Sequence, residues 1–408
     1  MINQPPPSTW VVIPTYWGPA GGALYDHPTP LRGESTLPTL LDSLAAQQNA
    51  PEFSVLVLVS AVGPEWEASA TARVRQLLAP YKDRLRLALA DVQTARALGD
   101  CLAAAGFDIE LTGMRGYATV RNMQLLVPAA LGAEAIIALD DDEVVAPGFV
   151  RAAMEFIGAQ HDGQQIVGIA GLYADAQGEI LLPEPRSADN LLLDKAIFMN
   201  QAFRQFLDGP DRLSATPMAL GGNMVFHRDL FTRIGFDPGI TRGEDIDYLI
   251  NARLAGVSFL LDRELIITHL PPRHYESPAY GKMRQDVLRF VYEREKLRIG
   301  GLGAEAFDPY PGRLLRDELL EHALAALEAT ATPELAAQFG APSTLLAEAQ
   351  QHAQQMAPRY REFAERWPRM MEAVIGDGML QEKLLRGAEL PAPPRAKTRM
   401  GYSSDVYD

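Results

Sequence analysis

Ala135-Ile136-Ile137-Ala138-Leu139-Asp140-Asp141-Asp142-Glu143 is a short apolar run that stops in four consecutive acids. Such a run, bounded by polar residues, reads as a strand buried on both faces, the texture of a parallel sheet. Trp10–Pro14, Phe53–Ser60 and Leu85–Ala90 have the same texture, and proline ends the first of them. Between these runs, Leu37–Gln47 sets Leu37, Leu40, Leu41 and Leu44 on one helix face, and Ala68–Pro80 and Val120–Leu131 repeat helical spacing. Strand alternating with helix predicts βαβ units and an α/β fold with a mostly parallel sheet. Ligands of such sheets sit at the carboxyl ends of strands. The places to examine are therefore Pro14–Tyr16, Ser60 onward and Asp140–Glu143.

Further along, Val167–Tyr173 and Val225–His227 read as short strands and Asp245–Ala255 as a helix. Val257–Asp262 and Glu264–His269 read as two more strands. Pro271-Pro272 then breaks the chain. From about Tyr280 the pattern is helical, clearest over Leu314–Ala329, Ser343–Met356 and Tyr360–Ile375. The end, Pro391–Asp408, is Pro-rich and polar and reads as a flexible tail. Three parts are expected: 1–275 as the α/β domain, 276–390 as an α-helical C-terminal region, and 391–408 as the tail. Leu/Ala-rich helices after Tyr280 offer a face for a homodimer.

The chain has 408 residues, with 37 Lys+Arg against 52 Asp+Glu and a net charge of −15. That balance argues against a protein that coats nucleic acid or an anionic membrane. The single cysteine, Cys101, cannot form an intramolecular disulfide. The first residues lack a charged segment followed by an apolar one, and no apolar run approaches the roughly 18 residues of a spanning helix. The expectation is a soluble, cytoplasmic protein with no transmembrane segment.

Four acids at a strand end repel one another unless a positive charge neutralises them. On an extended chain Asp140 and Asp142 share a face, and hard oxygen ligands on one face suit Mg²⁺ or Mn²⁺ bridged to phosphates. A solvated turn is the plainer alternative. Gly243-Glu244-Asp245-Ile246-Asp247 opens a helix, where acids satisfy free amides. They equally serve as a general base aimed into a cleft. Gly221-Gly222-Asn223 precedes them; glycines let backbone approach a ligand, and Asn223 both donates and accepts hydrogen bonds. His269 ends a strand and would complete a mixed oxygen and nitrogen site beside Asp142. Arg273, Lys282, Arg284, Arg289, Arg294, Lys296 and Arg298 make a local basic excess. It reads either as a solvated helix face or as a lid meeting phosphate oxygens, with Arg273 and His274 nearest His269.

Taken in order, these pieces resemble the GT-A glycosyltransferases, especially family 2-like members. Val11–Tyr16 looks like the opening strand of that family and Ala118–Asn122 like its helix before the metal strand. Leu139–Asp142 looks like its Asp-x-Asp motif. Gly221–Phe226, Phe236-Asp237 and Gly243–Asp247 look like its acceptor-side and Glu-Asp motifs. His269 falls where many members carry a metal-binding histidine. The match spans roughly 10–270, and the helical region after it resembles the appendages of mannosylglycerate synthase and glucosyl-3-phosphoglycerate synthase in architecture only.

The resemblance implies a Rossmann-like GT-A fold and a nucleotide-sugar donor. The donor would lie against Pro14, Thr15, Tyr16, Ser60, Arg121, Asp140, Asp141, Gly222, Asn223 and Arg273. A divalent Mg²⁺ or Mn²⁺ would be held by Asp142 and His269, with Asp140. In inverting members the Asp of the Glu-Asp motif deprotonates the acceptor hydroxyl; here that is Asp245, with Glu244 in reserve. The second strand departs from the family, ending in Val59-Ser60-Ala61 where an acidic pair usually reads the base, so UDP and GDP stay open. The loop Trp17–Pro38 is long and borders the binding edge. Two rival classes remain. A sugar-phosphate nucleotidyltransferase usually carries a cation in the glycine-rich loop after the first strand, and here none precedes Arg32. A non-catalytic nucleotide-sugar binding protein would use the helical region as its partner surface.

Overall fold

The computed structural model describes residues 9–19, 28–108, 111–184, 189–271 and 279–387. Arg273, His274 and the expected tail lie outside them. The strands are β1 (Thr9–Gly18), β2 (Thr29–Pro30), β3 (Phe53–Ala61), β4 (Leu87–Ala90), β5 (Ala135–Ala138), β6 (Glu143–Val145), β7 (Gln160–His161), β8 (Gln164–Gln165), β9 (Gly168–Ala174), β10 (Leu213–Thr216), β11 (Met224–His227) and β12 (Phe259–His269). The helices are α1 (Leu37–Ala45), α2 (Pro64–Leu78), α3 (Val92–Ala104), α4 (Tyr117–Ala130), α5 (Phe149–Glu155), α6 (Lys195–Leu207), α7 (Arg228–Phe231), α8 (Glu244–Leu254), α9 (Ala279–Gly300), α10 (Leu319–Thr330), α11 (Pro333–Phe339), α12 (Pro342–Gly376) and α13 (Gly378–Gly387).

The expected α/β sheet is present. Its strand order is β10-β12-β9-β11-β5-β1-β3-β4, with β2 added to β1 and β6 to β12. Neighbours β4, β3, β1 and β5 run parallel, β11 is antiparallel to β5 and β9, and β12 is parallel to β9. Six of the eight strands on that path therefore point one way, and their carboxyl ends share one edge.

The near-continuous apolar strands are explained by two cores. Trp10 and Val12 of β1, with Leu56 and Leu58 of β3, join the core on one face. Val11, Ile13, Val55, Val57 and Val59 join the core on the other. Side chains alternate across a strand, so a run buried on both sides needs apolar residues at every position. Helices α1, α2 and α5 cover the second face. Helices α3, α4, α8, α9, α10 and α12 contribute to the first, so residues before and after 275 share one core. Trp367 of α12, fully buried, donates from Nε1 to the Phe231 carbonyl at 2.9 Å.

Several elements differ from the sequence expectation. Pro14 does not end β1, because β5 pairs only as far as Val12 and no neighbour needs the missing N–H on that side. Val257–Asp262 and Glu264–His269 form one strand, β12, whose register against β9 shifts between Leu261 and Ile266. Ser343–Met356 and Tyr360–Ile375 are likewise one helix. Pro358 stands on the exposed side of α12, so the carbonyl it leaves unpaired faces water, while Ala353, Ala357, Phe363 and Trp367 hold the packed side. Leu314 and Leu315 belong to a 3₁₀ turn before α10. Helix α3 went unread, although Asp91 and Thr94 form a full capping box at its start.

Candidate active site

A cleft of about 430 Å³ opens at the carboxyl edge of the parallel strands. Pro14, Thr15 and Tyr16 in the carboxyl half of β1, Ser60–Val62 at the end of β3, and Asp140–Asp142 after β5 all line it. So do Arg121, His269 and the start of α4, Arg115-Gly116-Tyr117.

The acids do not lie on an extended strand. Residues 141–142 form a turn, and β6 begins at Glu143. The shared-face argument for Asp140 and Asp142 therefore fails, and the turn sends each carboxylate to a different partner. Asp140 Oδ1 lies 2.9 Å from Arg121. Asp141 accepts the Thr15 hydroxyl. Asp142 Oδ2 lies 3.3 Å from His269 Nε2. Glu143 turns inward, where its Oε2 accepts the Asp140 amide at 3.0 Å. Burial, then the Asp142 charge, pushes Asp141 up to about 7, against the Thr15 hydrogen bond. Burial and the Asp140 charge hold the Glu143 carboxyl well above its ordinary range.

The Asp142–His269 contact is built by pairing. β6 runs antiparallel to the end of β12 with His269 opposite Glu143, and the Leu270 amide donates to the Asp142 carbonyl at 2.7 Å. Burial disfavours the His269 imidazolium, but the Asp142 hydrogen bond and the charges of Asp142 and Asp140 outweigh it and raise the ring above its usual value. Among the described residues no group of three His, Cys, Asp or Glu side chains is arranged to hold a metal ion. Asp140, engaged by Arg121, does not complete the expected triplet. A carboxylate and an imidazole facing one cleft nevertheless suit a hard divalent cation whose other ligands are phosphate oxygens and water.

Arg121 joins the acid turn to a helix start that lies 123 residues along the chain from itself. Its Nε lies 3.0 Å from Glu244 Oε1, and it is 7% exposed. Burial works against its charge, and the Asp140 and Glu244 carboxylates more than restore it. Beside Glu244, Asp245 Oδ2 accepts the Gly221 amide at 3.1 Å and Oδ1 the Ile246 amide at 2.8 Å. Burial and the Glu244 charge raise the Asp245 carboxyl; the Ile246 amide, Arg289 and Arg121 work the other way. Glu244 and Asp245 stand behind Arg121 and are not among the residues lining the cleft.

Gly222 and Asn223 are packed against the protein's own groups. A Cβ on Gly222 would lie 1.9 Å from Glu143 Oε1, and one on Gly221 2.6 Å from an Arg121 nitrogen. These glycines admit the site's own charged side chains. Asn223 is fully buried; its Nδ2 donates to the Leu172 and Leu265 carbonyls at 3.0 and 2.9 Å. It stitches β9 to β12 within the stretch where their register shifts.

Three cations of the basic stretch in α9 are spent elsewhere. Lys296 is buried between Asp237 and Asp247 at 2.7 and 2.6 Å. Arg289 is buried against Tyr310, and Arg298 pairs with Glu295. Arg289 and Lys296 are thus unavailable to a phosphate lid. Exposed Arg115 at the start of α4 lines the cleft instead, and the sequence reading missed it. Glycine followed by a helical pattern, at Gly116-Tyr117, was the available signal.

No family model matches the chain, and no curated protein matches it. Among solved structures it is similar to a mannosyltransferase, PcManGT from Pyrobaculum calidifontis, in complex with GDP-Man and Mn²⁺, at 19% identity and a TM-score of 0.45. That match covers 92% of this chain and 87% of the other. It is also similar to a mycobacterial protein at 17% identity and a TM-score of 0.38, covering 72% of this chain and 76% of the other. GalNAc-T7 with UDP, GalNAc and Mn²⁺ is a third, at 13% identity and a TM-score of 0.39, covering 78% of this chain and 54% of the other. No helix among the described residues is long and apolar enough to cross a membrane.

Proposed function

We propose that the chain is a metal-dependent glycosyltransferase of the GT-A type, moving a sugar from a nucleoside-diphosphate donor to a hydroxyl acceptor. One observation carries the reading: the Asp142–His269 pair and the Asp140–Arg121 pair face a single cleft on the carboxyl edge of the sheet, with Glu244 bound to Arg121 from behind. Residues 1–275 would carry the chemistry, and 276–390 would brace it.

The nucleoside would lie against Pro14–Tyr16 and Ser60–Val62, where Pro14, Tyr16, Ala61 and Val62 offer apolar side-chain surface to a planar base. Arg115, Gly116 and Tyr117, at the start of α4, line the cleft where an anionic diphosphate would pass, with the Arg115 guanidinium as its cation. Asp142 and His269 would hold Mg²⁺ or Mn²⁺. The cation's contribution when bound is to offset the charge that the leaving nucleoside diphosphate gains. Arg121 neutralises Asp140 and fixes Glu244, so that α8 starts in a set attitude. In the transfer the bond between the anomeric carbon and the diphosphate oxygen breaks. The acceptor oxygen bonds to that carbon and its proton would pass to Asp245, which stands half-buried just outside the cleft lining and whose two amide contacts fix the carboxylate.

A thermal-shift panel of UDP-, GDP-, ADP- and dTDP-sugars with and without Mn²⁺ tests the donor, since stabilisation grows with the logarithm of concentration over Kd. Release of free nucleoside diphosphate supports the transferase. Release of pyrophosphate would overturn it in favour of a nucleotidyltransferase, and binding of no nucleotide-sugar would overturn both.

A further inference from the structure

We propose that Arg289, on α9 of the C-terminal helical region, is a positioning residue for Asp245: its guanidinium seats the first turn of α8 and presents an uncancelled positive charge to that carboxylate. The proposal rests on the reading of Asp245 as the base, and extends the catalytic apparatus past residue 275.

The seating is visible at Gly243. This residue precedes α8 with φ +70, in the left-handed region. A Cβ added to it would lie 2.0 Å from Nη1 of Arg289 and 2.3 Å from its Cδ. The guanidinium thus occupies the space a side chain would take, directly against the backbone that turns into Glu244 and Asp245. Arg289 is itself held: Nη2 donates to the Tyr310 hydroxyl at 2.8 Å, and the side chain is 6% exposed.

The charge balance shows where the cation acts. Its nearest carboxylate, Glu293, is 3.8 Å away and completely buried. Neither Glu293 oxygen has a hydrogen-bond partner among the described residues. Burial pushes the Glu293 carboxyl up to about 8 even against Arg289, so it offsets the guanidinium less than an ordinary carboxylate would. The Tyr310 hydroxyl is pushed up by burial to about 12 and carries no charge at neutral pH. Asp286 is already shared by Lys195 and Arg242. The groups acting on Asp245 are Glu244 on its own helix, Arg121 of α4, and Arg289 and Glu293 of α9. Glu244 is engaged by Arg121. Arg289 is the cation left to favour the ionised form of Asp245.

The test uses the full chain with Arg289→Met and Arg289→Lys, reading the Asp245 carboxyl by ¹³C NMR, assigned by its loss in Asp245→Asn. Arg289→Met is expected to move the Asp245 titration upward by about one pH unit, the usual effect of losing one opposite charge. The acid limb of kcat should move with it. Arg289→Lys keeps the charge but not the fork, so Asp245 should titrate as in the wild type. Its kcat should fall several-fold with the donor KM unchanged. An unmoved titration in Arg289→Met, or a wild-type kcat in Arg289→Lys, would overturn the proposal; the lysine variant alone decides if the methionine variant does not fold. The titration is read without turnover. A shifted Asp245 in a protein that transfers no sugar would sink the transferase reading and leave the coupling of Arg289 to Asp245 standing.

Discussion

Arg121 holds Glu244 at 3.0 Å with the same guanidinium that holds Asp140 at 2.9 Å, and so ties the start of α8 to the acid turn after β5. Both ends of that bridge are more than two-thirds buried. Removing the cation leaves two poorly hydrated carboxylates facing one another. Arg121→Met should cost about 3–5 kcal/mol of folding stability, the range for breaking a buried pair, measured by urea unfolding. Arg121→Lys should recover only part of it, because a single ammonium cannot meet both carboxylates in the planar geometry of the fork. Equal stability of Arg121→Met and wild type would mean that the bridge is not formed.

A second cation does the same work deeper in the molecule. Lys296 of α9 sits between Asp237 and Asp247, all three 1% exposed or less. Burial opposes its charge, but the two carboxylates hold the ammonium above its usual value. Lys296→Met should destabilise by about 3–5 kcal/mol. Asp237→Asn added to it should cost less than the sum of the two single changes, because the partners form one network. A strictly additive double-mutant cycle would refute the coupling.

The sheet was legible because strands buried on both faces must be apolar along their middle, as Val55–Val59 is. The acid turn, the Gly243–Asp247 helix start and His269 stood out as polar interruptions at element ends. What stayed hidden was long-range commitment. Nothing local distinguishes Lys296, buried 49 residues from Asp247 and 59 from Asp237, from a solvated lysine on a helix. Asn223 reads as a ligand contact because its amide can both donate and accept; the partners of its Nδ2, the carbonyls of Leu172 and Leu265, lie on strands distant in sequence. Ser343–Met356 and Tyr360–Ile375 read as two helices, because a single sequence does not show that packing on both sides of Pro358 holds one helix together.

The pH profile should bear the mark of Asp245. Its carboxyl is raised by burial and by Glu244. A base works only when ionised, so kcat/KM should fall on the acid side at a higher pH than an ordinary carboxylate gives. Stability follows the opposite course. A folded-state value above the unfolded one means the native protein holds this proton more tightly. The resulting contribution is present below the unfolded value and is lost as pH rises through the folded one. Asp245→Asn should abolish transfer while flattening that part of the stability curve. Unchanged turnover in Asp245→Asn would remove it as the base.

Cation binding should report on Asp142 and His269 together. The imidazole must be neutral to act as a ligand, and Asp142 and Asp140 hold its proton more tightly than usual. Mn²⁺ and the proton therefore compete for the same nitrogen, and affinity should rise with pH through the His269 titration. Chelation should abolish transfer, and added Mn²⁺ should restore it. Asp142→Asn and His269→Ala should each weaken Mn²⁺ binding at least about tenfold, since loss of even an outer-sphere partner costs that much. Asp140→Asn should weaken it less, because its carboxylate is already turned to Arg121 at 2.9 Å. Isothermal titration with Mn²⁺ in the presence of nucleoside diphosphate measures all three. Equal losses for Asp140→Asn and Asp142→Asn would show that the acid turn rearranges around the ion and brings Asp140 into its ligand sphere.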